Sequence, residues 1–84
     1  MDSKILVTLD VPSISESYNL LVPGFVPVST LVPLLVKIAQ EMSNHLYQTS
    51  GSEFLCSVEK NTLLEKNYTL DAYNIQNGDH LLLL

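Results

Sequence analysis

Apolar and polar positions alternate along Lys4-Ile5-Leu6-Val7-Thr8-Leu9-Asp10-Val11, and a period of two marks a strand with one buried face. Ile5, Val7, Leu9 and Val11 form one set, Leu6 and Thr8 the other. The turn residues from Pro12 to Ser17 lead into a second short strand, Tyr18 to Val22, which closes a hairpin before Pro23-Gly24. The period then changes. Leu31, Leu35, Ile38, Met42 and Leu46 recur at helical spacing, with Leu34 and Ala39 widening the stripe. Ser29 or Thr30 is the expected N-cap, and Pro33 falls in the first turn. The helix is predicted over about residues 30 to 47, ending before Thr49-Ser50-Gly51.

Alternation returns at Glu53 to Val58, with Phe54, Cys56 and Val58 expected inside, and a short fourth strand follows at Thr62 to Glu65. A helical turn is read at 70 to 74. Asn77-Gly78 predicts a type I′ turn, with Asp79 shaping it through a side-chain hydrogen bond, and 80 to 84 forms the last strand. The order ββαββ, helical turn, β requires one helix to cross over from the first hairpin. The first and last strands must then lie parallel at the centre of the sheet. The expected fold is α+β: a β-grasp, a mixed five-stranded sheet packed on one helix, in a single domain spanning residues 1 to 84. The expected core is Ile5, Val7, Leu20, Leu35, Ile38, Met42, Leu70, Ile75, Leu81 and Leu83.

Composition narrows the function. With 46% apolar and 15% charged residues in 84, the chain has enough apolar material for one modest core. Four lysines, no arginine and nine acidic residues give a net charge of -5. That field repels phosphate backbones and anionic lipid heads, so neither nucleic acid nor a membrane surface is expected as a partner. One cysteine excludes an internal disulfide and a thiolate-rich metal site. Met1-Asp2-Ser3-Lys4 does not open a signal peptide and no apolar stretch is long enough to span a bilayer, so a cytoplasmic protein without direct membrane insertion is expected.

No constellation carries chemistry. His45, His80 and Cys56 fall on three different elements, whereas a metal site needs three or four convergent ligands. Ser13, Ser15 and Ser17 sit in a turn with no base beside them, and the sequon Asn67-Tyr68-Thr69 lacks a secretory context. Glu41, Glu53, Glu59, Glu65, Asp71 and Asp79 are scattered and read as solvated side chains. No catalytic residue, cofactor or metal is expected, and the chain is not read as an enzyme. What stands out is a surface. Leu6, Leu55, Leu82 and Leu84 are expected together on the open face of the sheet as a protein-binding patch, serving either a homodimer or docking to a partner.

Thr69 to Gln76 resembles the stretch before the last strand of ubiquitin, Thr-Leu-x-x-Tyr-Asn-Ile-Gln. The chain given ends at Leu84 without the Gly-Gly tail of ubiquitin and the sulfur carriers, so conjugation through such a tail is not expected. Val-Thr-Leu-Asp-Val-Pro at 7 to 12, Val-Pro-Val-Ser-Thr-Leu-Val-Pro-Leu-Leu at 26 to 35 and Ile-Gln-Asn-Gly-Asp-His-Leu at 75 to 81 together resemble the EsaB/YukD family. These are ubiquitin-like proteins of Gram-positive type VII secretion systems. The resemblance implies a non-enzymatic accessory or regulatory role through contacts with protein components of the secretion machinery. The alternative is a ubiquitin-like modifier or sulfur carrier lacking its Gly-Gly tail.

Overall fold

A computed structural model describes residues 4–84. Strand β1 (Lys4–Val11) and strand β2 (Glu16–Pro23) form an antiparallel hairpin across a 3-10 turn at Pro12–Ile14. Helix α1 (Val28–Met42) follows, then β3 (Leu55–Ser57), β4 (Thr62–Leu63), a 3-10 turn at Asp71–Tyr73 and β5 (His80–Leu83). The strand order is β2-β1-β5-β3-β4. β1 and β5 run parallel and the remaining pairs are antiparallel. This is the expected β-grasp, with both terminal strands away from the sheet edges.

The inner face of the sheet carries Ile5, Val7, Leu9 and Val11 from β1 and Leu81 and Leu83 from β5, packed on Val28, Leu31, Leu35 and Ala39 of α1. Leu70 and Ile75 close the core from the segment before β5. Three expected core residues lie outside it. Leu20 and Ile38 are half-buried at the rim, and Met42 is exposed because α1 ends there. The buried stripe of α1 is turned toward Val32 and Val36, which leaves Leu34 exposed, and Leu46 is exposed beyond the end of the helix.

Both helix ends differ from expectation for local reasons. Pro27 is the N-cap, and no side chain caps the helix. The orphan N–H groups of Val28 and Ser29 instead donate to the carbonyls of Tyr68 and Lys66, at 2.8 and 2.9 Å. Pro33 therefore sits beyond the first turn, and it cannot donate to the carbonyl four residues back. At the other end Asn44 and His45 take φ of +55° and +68°, which stops the helix at Met42 instead of 47.

The turn before β5 is also of another kind. Gly78 has φ +93° while Asn77 is not in the left-handed region, and the Asp79 N–H donates to the Gln76 carbonyl at 3.0 Å. That is a type II turn with glycine at its third position. It joins no hairpin, so the strand twist that selects type I′ does not act on it. Asp79 shapes it as expected, its Oδ2 accepting from the Gln76 N–H at 3.0 Å. Asn77 Oδ1 and the Gly78 N–H satisfy the backbone of Leu6 at 2.8 Å each, so the turn extends the ladder beside β1.

Candidate functional site: the outer face of the sheet

Alternation sends Leu6, Thr8 and Asp10 of β1 and His80 and Leu82 of β5 away from the helix. On β3 the phase is opposite to the sequence reading. Leu55 is 1% exposed and pairs with Leu83, while Cys56 pairs with Leu82 on the outer face. Leu55 therefore leaves the expected patch and Cys56 leaves the expected core. Phe54 and Val58 are exposed with it. Both phases of Phe54-Leu55-Cys56-Ser57-Val58 alternate, and a slip of one residue exchanges the faces. The register against Leu81 and Leu83 decides, helped by inner-face polar groups that find partners: Ser57 Oγ accepts from the Lys60 N–H at 3.1 Å.

Glu53, read from sequence as solvated, is the other buried polar residue, only 4% exposed. Its Oε2 accepts from the Tyr47 hydroxyl at 2.8 Å, the Thr49 hydroxyl at 2.5 Å and the Ser50 N–H at 3.0 Å. Burial by itself would raise its pKa, but the bonds from Thr49, Tyr47 and Ser50 outweigh it and hold the carboxyl below its ordinary range. Burial and then the bond to Glu53 push the Tyr47 phenol up to about 12. This clasp fixes the irregular stretch between α1 and β3, and so presents Phe54 at the start of the β3 ladder.

The outer face divides in two. At one end Leu6 stands opposite exposed Leu21 on β2. At the other, Leu82 lies between Asp10 and Cys56, with Leu63 of β4 beyond Cys56. Phe54 and Leu84 extend this second cluster, exchanging backbone hydrogen bonds at 2.7 and 2.9 Å and placing both side chains on the outer face by alternation. Phe54, Leu63 and Leu84 are 52, 53 and 53% exposed. Cys56, Val58, Leu63 and Leu82 line a depression of about 310 Å³. Between the clusters runs a polar row. The Thr8 hydroxyl donates to Asn19 Oδ1 at 2.9 Å, and the Glu59 carboxylate receives the His80 N–H at 2.8 Å and contacts His80 Nδ1 at 3.1 Å. The His80 N–H is the main reason the Glu59 carboxyl sits below its ordinary pKa.

The expected patch is thus brought together only in part. Leu82 and Leu84 join a cluster with Phe54, Val58 and Leu63, whereas Leu6 belongs to the separate pair with Leu21. Among the described residues no three His, Cys, Asp or Glu side chains converge as metal ligands, and no helix is long and apolar enough to cross a membrane.

Comparison with known proteins gives the face its context. The ubiquitin-like domain of EccD5 from Mycobacterium xenopi is similar, with TM-score 0.83 at 20% identity, covering 98% of this chain and 93% of that one. The ubiquitin-like domain of the Mycobacterium tuberculosis type VII secretion protein EccD1 has TM-score 0.77 at 18% identity, with 98% of each chain covered. A chain of the MycP5-free ESX-5 inner membrane complex matches with TM-score 0.81 at 20% identity, over 96% of this chain and 20% of that one. No curated protein sequence matches. The family model for protein YukD of the WXG100 protein secretion system matches residues 5–83, and the chain therefore belongs to the YukD family, the ubiquitin-like proteins associated with type VII secretion.

Proposed function

We propose that the protein is a non-enzymatic, cytoplasmic accessory component of a type VII secretion system, and that it acts by docking the β5-β3-β4 end of its outer sheet face onto a protein of the machinery. The observation that carries this reading is the exposure of Phe54, Val58, Leu63 and Leu84 around Leu82 on one continuous surface. Exposed large apolar side chains contribute nothing to folding, whereas burying one at an interface is worth about 1.5 to 3 kcal/mol. Asp10 and Glu59 border the cluster, in a chain of net charge -5, which suits a partner with a basic rim. Membership of the YukD family and the resemblance to a chain of an inner membrane secretion complex support such a partner.

The test is a Phe54→Glu, Leu63→Glu double variant, checked for native circular dichroism and an unchanged urea midpoint. The reading expects it to lose co-purification with the secretion membrane complex and to lower export or regulation of WXG100 substrates. A folded variant with wild-type behaviour in both assays would overturn it.

A further inference from the structure

The opposite end of the sheet is an open edge. The Thr8 N–H donates to the Asp79 carbonyl and the Leu6 carbonyl accepts from the Gly78 N–H, so even-numbered residues of β1 turn their backbone groups toward β5. Odd-numbered ones face β2, where the register pairs them with Glu16, Tyr18, Leu20 and Val22. Ser17, Asn19 and Leu21 consequently point their N–H and carbonyl groups outward, and no described residue meets them. The edge is eight residues long with an unbroken register, and among the described residues its guards are Glu16 at the start and Pro23 at the end. Natural edges of that length are ordinarily blunted by lysine, bulges or a covering segment.

The side chains along this edge are not neutral either. Val32 and Val36 line the cavity beside Thr49 and Glu53 on the β3 side of α1. Leu34 and Ile38 lie on the opposite side of the Leu31, Leu35, Ala39 stripe, toward β2. Leu34 is exposed and Ile38, Leu20 and Tyr18 are half-buried. A strand added here must be apolar toward the helix. β2 itself meets that requirement with Tyr18 and Leu20 inward, while its outer face carries Ser17, Asn19 and the exposed Leu21.

We propose that β2 is a homodimerisation edge: two copies pair their β2 strands antiparallel, centred on Asn19, and join their sheets into one. This register engages all three free backbone positions of each copy, since Asn19 meets the partner's Asn19 and Ser17 meets the partner's Leu21. On the inner face Tyr18 opposes the partner's Leu20, a favourable aromatic-aliphatic pair. Glu16 opposes the partner's Val22, which holds the two Glu16 carboxylates roughly 20 Å apart. That exceeds the screening length of about 8 Å at physiological salt. A parallel pairing would set them side by side. The net charge of -5 per copy still opposes association at long range, so the dimer strengthens with added salt, the reverse of docking to a basic partner.

Sedimentation equilibrium at protein concentrations up to about 1 mM, in low salt and in about 0.5 M NaCl, tests this. The wild type is expected to dimerise more tightly in the higher salt. Asn19→Pro removes an outward N–H and the Thr8 hydroxyl's side-chain acceptor but leaves the backbone bonds to β1, and Leu21→Lys places a charge at the edge. Each should raise the dissociation constant at least about tenfold with the fold retained, while Leu63→Ser leaves it unchanged. A wild type that stays monomeric at both salts would overturn the proposal, as would a dimer indifferent to both edge variants. A monomer whose Ser17, Asn19 and Leu21 amides respond only to a secretion component would overturn it in favour of strand addition by that component.

Discussion

Four consecutive leucines end the chain, and they meet two different fates. Leu81 and Leu83 are 0 and 1% exposed against the helix, while Leu82 and Leu84 face away from it. Side-chain chemistry is the same at all four, so the division comes from the pleat of β5 alone. The inner pair holds the domain together, while of the outer pair Leu82 is half-buried and Leu84 is exposed. A residue type therefore reports a role only once the phase of its strand is known.

The comparison is tested most severely at the inner pair. Leu81→Ala or Leu83→Ala is expected to cost about 2 to 5 kcal/mol, a large part of the stability of a domain this size. A urea midpoint within error of wild type would contradict the assignment. Gly24→Ala should come next, at about 1 to 3 kcal/mol. A Cβ there would overlap the Asp71 carboxylate and lie 2.7 Å from Cδ1 of Ile5, so the Asp71 side chain would have to turn aside and the buried Ile5 would have to repack.

Tyr47→Phe probes the clasp that presents Phe54, and about 1 to 3 kcal/mol is expected for leaving the buried Glu53 carboxylate short of a donor. The pH dependence has two signs. The Glu53 carboxyl is held low in the fold, so its contribution is complete above the ordinary carboxylate pKa and is lost as pH falls through the depressed folded value. The Tyr47 phenol is raised from 10.0 to about 12, so its contribution is complete below pH 10 and is lost as pH rises toward 12. Urea midpoints of the wild type should fall across that alkaline window, and those of Tyr47→Phe should fall less.

The smallest effect belongs to the outer leucines. Leu84→Ala and Leu82→Ser should each shift stability by no more than about 0.5 to 1 kcal/mol. Differential scanning of these beside Leu81→Ala would show whether the two faces differ as described.

The ends of the chain were legible because their patterns are strong and agree with each other. Alternation in β1 and in 80 to 84 placed both strands correctly, and the element order required them to be central and parallel. Strand β3 was not legible, because Phe54-Leu55-Cys56-Ser57-Val58 offers two alternating sets and the more apolar one faces outward. Only its pairing with Leu81 and Leu83 fixes the phase, and that is a long-range contact. Glu53 was missed for the same reason, since its three donors identify it only after Tyr47, Thr49 and Ser50 are folded around it. The helix end was missed because the left-handed residues Asn44 and His45 are not glycines.

Site-specific photo-crosslinking in cells tests the central claim most directly. A photoreactive residue at position 63, on the outer face, should crosslink to a protein of the secretion machinery, and one at position 41, on the exposed side of α1, should not. Crosslinks to the machinery from position 41 with none from 63 would contradict the account.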